Sequence, residues 1–484
     1  MSAAVRGSNS VSTDPYVRIR RKRWALRIAL AALVVGAGWL AWKRSRPPEG
    51  MGPSIDAIVE RAMEEGPIAG LSVGVARGGR IVYSKGYGFA DLENGIQAGP
   101  GTVYNVGSIT KQFTAAAVLQ LAEEGRVNLD APIGEYLPEV PFRGDEGERV
   151  TVRELLDHTA GIRNFTTMKS WWKAIGMEMT PEELADVFAD QPLDFPPGTD
   201  FSYSNSGYVL LGLLIETVGG QPYGGYLNQH VFVPLKLSRT SYCDSRKLVK
   251  NRARGYQVVD GKFVNASYVD VSQAYAAGGL CSNAADLLRW TRLLSEGALI
   301  RRKTYERMAR PDTLLDGRRI EYGYGLAVGY LDGHRRISHV GGMRGFAGYL
   351  ADYPDDDLTI VVLTNTEGAA AADVESRIAR LLLGLGQRTT RDVRLPPDEL
   401  ARYAGTYDLH FTTVRLVARG SRLHALIPDP GIDDTDLLYQ GDGTFQAEGD
   451  PETLVRFRME GDSVVGVTLD HQGIRLEGTR SSGR

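Results

Sequence analysis

Cysteine is almost absent: Cys243 and Cys281 are the only two in 484 residues. A disulfide framework and a cysteine-based zinc cluster are therefore both excluded. One bridge in an oxidising compartment and two free thiols stay open as readings. No His-Glu-x-x-His zinc helix and no Gly-Lys-Ser/Thr phosphate loop occurs, so neither a zincin nor a P-loop reaction is encoded. No metal or organic cofactor is implied. An excess of either charge is lacking too: 56 Lys and Arg stand against 59 Asp and Glu, a net of −3. That balance gives no reason to expect a nucleic-acid partner.

Positive charge is instead gathered at the N-terminus. Arg18, Arg20, Arg21, Lys22 and Arg23 precede a mostly apolar run from Trp24 to Trp42, and Lys43, Arg44 and Arg46 follow it. Arg27 interrupts the run close enough to one end for its side chain to reach the interface. The pattern predicts a transmembrane helix over 24–42, a basic cytoplasmic tail over 1–23 and a linker over 43–51. The heavier basic side comes first, so the rest of the chain is expected outside the cytoplasm, periplasmic or extracellular. A cleaved signal peptide is the alternative, but Trp39 and Trp42 follow Gly36-Ala37-Gly38 without a small-residue cleavage site.

The main body is expected over 52–386. Ile55 to Glu65 has an amphipathic helical period. Leu71–Ala76 and Arg80–Ser84 read as strands joined at Gly78-Gly79. From Ser108 to about residue 310 the chain reads as helix-rich. Strand signals return at Tyr324–Tyr330, Arg336–His339, Gly345–Tyr353 and Leu358–Asn365, and Ala369–Leu385 closes the body as a helix. Strands at both ends of a helical centre predict an α/β (α+β) fold: one antiparallel sheet, the terminal helices packed on it, and an inserted all-helical subdomain. After a polar linker over 387–397, residues 398–484 turn to short alternating strands. Five of them are legible, at Thr413–Ala418, Leu423–Ile427, Thr444–Ala447, Leu454–Met459 and Val464–Leu469, and they predict a small all-β barrel or sandwich.

Chemistry is concentrated in three places. Val106-Gly107-Ser108-Ile109-Thr110-Lys111 sets a serine and a lysine three residues apart at a helix start, on one helical face. A hydroxyl needs a neighbouring base, and a lysine amine serves when desolvation lowers its pKa. Tyr203-Ser204-Asn205 lies just before an apolar helical run. His339-Val340-Gly341-Gly342 lies in one of the late strands. Leu155–Gly161, which contains His158, and Ala277–Ser282 are accessory motifs. Trp171 and Trp172 read equally well as cleft wall or as packing.

Ser-x-x-Lys, Tyr-x-Asn and a basic residue-x-Gly, in that order, resemble the serine β-lactamase and penicillin-binding-protein superfamily. The likeness is strongest to its class C-like branch of D-aminopeptidases, carboxypeptidases and esterases, and covers about 52–386. It implies a β-lactamase-like fold and catalysis by Ser108, Lys111 and Tyr203 through an acyl-enzyme. It also implies that Asn205, His339 and Gly341 orient substrate, and that the backbone N–H groups of Ser108 and Gly342 hold the oxyanion. The small β domain resembles lipocalin-like modules attached to some such peptidases. The expected partner is a small peptide, ester or cell-wall-derived substrate, with the membrane reached through the N-terminal helix. Histidine stands where β-lactamases carry the lysine that attracts a carboxylate, so peptidase- or esterase-like activity is expected ahead of a class C-like β-lactamase. A non-catalytic cell-wall-peptide or protein-binding protein is the reading from another class, and the intact Ser108, Lys111 and Tyr203 set argues against it.

Overall fold

The computed structural model describes residues 50–481, apart from 143–146, 148, 370, 389, 410–412, 427–433, 449 and 472–473. The basic tail and the Trp24–Trp42 run lie outside the described residues. Among those described, no helix is long and apolar enough to cross a membrane.

Helix α1 (Met51–Glu65) buries Ile55, Val59 and Ala62 along one face. It leads into the antiparallel pair β1 (Gly70–Arg77) and β2 (Arg80–Asp91), with the short β3 (Ile96–Gln97) at the edge. The sheet is completed from the far end of the body by β4 (Ala327–Leu331), β5 (His334–Met343), β6 (Phe346–Tyr353) and β7 (Leu358–Thr364). The spatial order is β3-β2-β1-β7-β6-β5-β4, which sets the first and last segments side by side at the centre.

Strand alternation sorts the two faces. Ile360 and Val362 of β7 join Val73, Val75 and Tyr349 beneath α1 and α5 (Ala371–Leu383). Val361 and Leu363 face the other way, into the core shared with α2 (Thr110–Glu123) and α4 (Ala284–Ser295). Each such aliphatic side chain contributes about 1.5–3 kcal/mol on burial. The central strands are thus covered on both sides, which is why β7 is a continuous buried run. On β1, Gly74 lets α4 approach: a β-carbon there would lie 3.0 Å from both Ala284 and Leu288 side chains.

Helix α2 is enclosed on nearly all sides. Phe113 stacks on Trp290 at 4.0 Å, and α3 (Asn205–Gly219) packs alongside. The inserted region is not all-helical, which corrects the sequence expectation. Leu280–Ser282 pairs with Tyr104–Asn105 and with Ser241–Tyr242, and Tyr256–Val259 forms a hairpin with Lys262–Asn265. The hairpin turn, Asp260-Gly261, has positive φ at both residues, the geometry that Asp-Gly favours. Cys243 and Cys281 form a disulfide across the first of these small sheets.

Beyond α5, a short helix (Pro397–Tyr403) precedes eight strands that close as an antiparallel barrel in simple chain order. Tyr407, Leu423, Phe445 and Val455 are among the residues filling its own core. The barrel adds three strands to those legible in the sequence: Gly405–Asp408, Thr435–Tyr439 and Ile474–Arg480.

Candidate active site

The chain enters α2 through one tight turn, Gly107–Ile109. Gly107 sits at φ 51°, a conformation in which a β-carbon is strained. That β-carbon would also lie 2.5 Å from the carbonyl oxygen of Gly342. A β-carbon on Gly341 would lie 2.1 Å from the carbonyl oxygen of Val106. The two glycines let the Ser108 turn rest directly on the backbone of β5. Ser108 opens onto a groove lined also by Thr166, Trp171, Trp172, Asn205 and Gly342.

Lys111 is fully buried one helical turn on. Its Nζ lies 2.7 Å from Asn205 Oδ1, 2.9 Å from the Ala277 carbonyl and 3.2 Å from Ser108 Oγ. Burial holds its pKa well below the usual lysine value, because no carboxylate is among its partners to offset desolvation. A neutral amine has two N–H donors and one lone pair. Asn205 and Ala277 match the donors, leaving the lone pair for the Ser108 hydroxyl.

Asn205 is the first residue of α3, and the 163–166 segment fixes it. Its N–H donates to Asn164 Oδ1 at 3.1 Å, and its Nδ2 donates to Thr166 Oγ1 at 3.3 Å. The Ala277 carbonyl is held from the other side. Thr114 Oγ1 donates to the Ala276 carbonyl, and the Tyr275 hydroxyl donates to Glu216 Oε1, each at 2.7 Å.

Tyr203 brings its ring within 4.7 Å of Lys111 Nζ. Its hydroxyl is buried without a close hydrogen bond. Burial pushes the phenol well up, and the nearby Ser108 hydroxyl offsets this only partly, so the phenol keeps its proton at neutral pH.

His158 supports the Tyr203 loop from behind. Its carbonyl accepts the Ser202 N–H at 3.0 Å and its Nδ1 accepts the Ser204 N–H at 3.2 Å. The ring lies 4.4 Å from that of Tyr203. Burial, with Lys111 and His339 nearby, keeps it neutral. Its φ of 64° marks a backbone held in place by these contacts.

His339 lies behind the groove rather than on its wall. It is 3% exposed. Nδ1 donates to the Val340 carbonyl at 2.6 Å, and Nε2 accepts from the Tyr322 hydroxyl at 2.8 Å. Burial and Lys111 push its pKa down to about 3. It therefore presents neither a charge nor a free donor to substrate, and the wall at this point is Val340, Gly341 and Gly342. Among the described residues, no cluster of His, Cys, Asp or Glu is set to hold a metal ion.

Residues 55–385 match the Beta-lactamase family. The chain belongs to that family. It is a serine hydrolase of the β-lactamase and penicillin-binding-protein superfamily. PbpX of Bacillus subtilis (strain 168) is 31% identical over 310 residues, which are 64% of this chain and 74% of PbpX. An octameric penicillin-binding protein homologue from Pyrococcus abyssi aligns over 87% of this chain and 99% of its own, with TM-score 0.63 and 26% identity. A D-stereospecific amidohydrolase from Streptomyces sp. aligns over 69% of this chain and 99% of its own, with TM-score 0.60 and 28% identity.

Within this β-lactamase-family site the structure gathers Ser108, Lys111, Tyr203, Asn205, Gly341 and Gly342, and sets His339 behind them. Asn164, Thr166, Tyr322 and the Ala277 carbonyl were not singled out by sequence reading. A Gly-x-Ser-x-Gly match at Gly70–Gly74 also escaped it. Ser72 of that match is 1% exposed, with its hydroxyl on the Gly99 carbonyl and Tyr104, so it is a sheet serine and not a second nucleophile.

Proposed function

We propose that this protein is a membrane-anchored serine hydrolase that opens an amide or ester bond outside the cytoplasm through an acyl-enzyme on Ser108. The observation that carries this reading is the Lys111 amine, buried, matched donor for donor, and 3.2 Å from Ser108 Oγ. Lys111 takes the Ser108 proton as Oγ bonds to the substrate carbonyl carbon. The N–H groups of Ser108 and Gly342 flank the developing oxyanion. Tyr203 gives its proton to the leaving amine or alkoxide as the scissile bond breaks, and regains one from the Lys111 ammonium. A neutral base and a protonated acid at the same pH fit this division of labour. Water then repeats the sequence and releases the acid.

The substrate class rests on the relatives. The Streptomyces structure is that of a D-stereospecific amidohydrolase and the Pyrococcus structure that of a penicillin-binding protein homologue. Peptides or amides of D-amino acids, including cell-wall fragments, are the substrates we assign. The neutral His339 favours peptidase- or esterase-like work over β-lactamase activity. The Cys243–Cys281 bridge supports an oxidising compartment. The order of basic and apolar residues supports an uncleaved anchor with the body outside.

Two measurements test these readings. A fluorophosphonate and a fluorescent penicillin are each expected to label the full-length protein, with the mass shift on the peptide containing Ser108. A protein that reacts with neither, or reacts elsewhere, overturns the acyl-enzyme. Protease added to intact spheroplasts is expected to remove the chain beyond residue 47, and complete protection would reverse the proposed orientation.

A further inference from the structure

The Ser108 groove is poor in positive charge on its own side of the sheet. Lys111 is buried in its cage, and His339 is buried with both ring nitrogens engaged. Arg61, Arg377 and Arg380 belong to α1 and α5, which pack on the opposite face of the sheet, and Arg388 follows α5 and pairs with Asp332. Arg344 is the exception.

Arg344 and Gly345 form the turn between β5 and β6, where Met343 pairs with Phe346. Arg344 lies two positions beyond Gly342, about 7 Å at the usual strand rise. The guanidinium carbon lies 5.0 Å from the Trp172 ring centroid, a geometry that holds the planar fork against an aromatic face. Glu367 pins it from another side: Arg344 Nη1 donates to Oε1 at 2.8 Å, and Gly345 N–H donates to Oε2 at 3.2 Å. Both oxygens of Glu367 are thus occupied, and this carboxylate is an anchor rather than a ligand for an incoming amine. The guanidinium has five donors, and Arg344 makes no other hydrogen bond to a described residue. Its remaining donors are held in a half-buried wall of the groove that also contains Ser108.

We propose that Arg344, stacked on Trp172 and braced by Glu367, is a specificity-determining residue that binds a carboxylate of the substrate about two residues' length from the scissile carbonyl. This rests on the serine-hydrolase reading and deepens it, because it assigns an anionic acyl donor to that site. Arginine suits the task, since its fork meets both oxygens of a carboxylate at once. The charge of Glu367 limits long-range attraction, so selectivity comes from short-range paired hydrogen bonds.

Two matched pairs of substrates read this out in the full-length protein. N-succinyl- and N-acetyl-D-alanine p-nitrophenyl esters differ by an anion on the acyl side. Acetyl-D-alanyl thioglycolyl-glycine and its methyl ester differ by one on the leaving side. In one of the two pairs, wild type is expected to favour the anionic member in kcat/KM by about ten- to hundredfold, the range for a charge-assisted hydrogen bond. Arg344→Gln removes that preference, Arg344→Lys keeps part of it, and Glu367→Gln sharpens it. The uncharged member of each pair corrects for any general loss in a variant, and circular dichroism checks folding. Equal use of both members in both pairs by wild type, or a preference that survives Arg344→Gln, overturns the proposal. Turnover that persists in Ser108→Ala, or is absent from wild type for every substrate, overturns the serine-hydrolase reading instead.

Discussion

Lys111→Met folds but acylates about 10²- to 10⁴-fold more slowly than wild type, the span attached to loss of a positioned general base. Methionine fills nearly the same volume as the lysine stem and removes the nitrogen that faces Ser108 at 3.2 Å. Lys111→Arg is expected to be as inactive, because a guanidinium does not deprotonate in proteins. The pH dependence follows from the same burial. The folded-state pKa of Lys111 lies well below 10.5, and only its neutral form accepts the serine proton. Wild-type acylation therefore falls as pH drops through that lowered value. Between the lowered value and 10.5 the unfolded chain binds one more proton than the folded one, so this residue weakens folding as pH falls. Lys111→Met removes that slope. The loss of donors to Asn205 Oδ1 and the Ala277 carbonyl acts against the gain, and Tm is expected within a few degrees of wild type. Stopped-flow labelling across pH, with calorimetry beside it, checks both parts. Acylation that quickens toward low pH would rule out the neutral amine as base.

Gly341→Ala is expected to damage the site through backbone alone. Its new β-carbon would sit 2.1 Å from the Val106 carbonyl oxygen and 3.3 Å from Ile109 Cγ1. Neither is the loose end of a flexible side chain, so β5 and the Ser108 turn must separate. About 3 kcal/mol of destabilisation is expected, the upper end for overpacking, and Tm falls by several degrees. Activity falls further than stability requires, because Gly342 is carried away from Ser108. Gly342→Ala is the control, as a β-carbon there meets nothing within 4 Å. Thermal melts that rank the two variants equally would show that β5 does not rest on the turn.

What could be read beforehand depended on how locally the chemistry is written. Ser108 and Lys111 share one helical turn, and Tyr203 and Asn205 flank one helix start, so residue type and spacing were enough. The terminal strands and α5 carried clear apolar strand runs and a helical signal. Ala277–Ser282 stood out as a motif, but the part played by the Ala277 carbonyl did not, because a backbone acceptor has no letter of its own. Tyr322 lies in a loop and reaches His339 only through the folded sheet, so nothing nearby in sequence announced the pair. The Asp260-Gly261 hairpin was legible in principle and was submerged in a region read as helical. Thr435–Tyr439 was missed because Leu437 and Leu438 are both buried, which breaks the alternation that marks a barrel strand. Arg344 was not singled out, because only the fold brings Trp172 and Glu367 to it.

The closed barrel changes what its removal would mean. Its strand Ile474–Arg480 touches β4, the outermost strand of the seven-stranded sheet. Cutting the chain after α5 would strip that neighbour from β4 and leave a raw hydrogen-bonding edge open to self-association. A truncated protein that clumps or loses activity would therefore reveal a missing guard on the sheet's flank before it revealed anything about catalysis. A lysine in place of Tyr330, the one exposed residue of Ala327–Leu331, separates the two effects, because it blunts the edge without restoring the barrel.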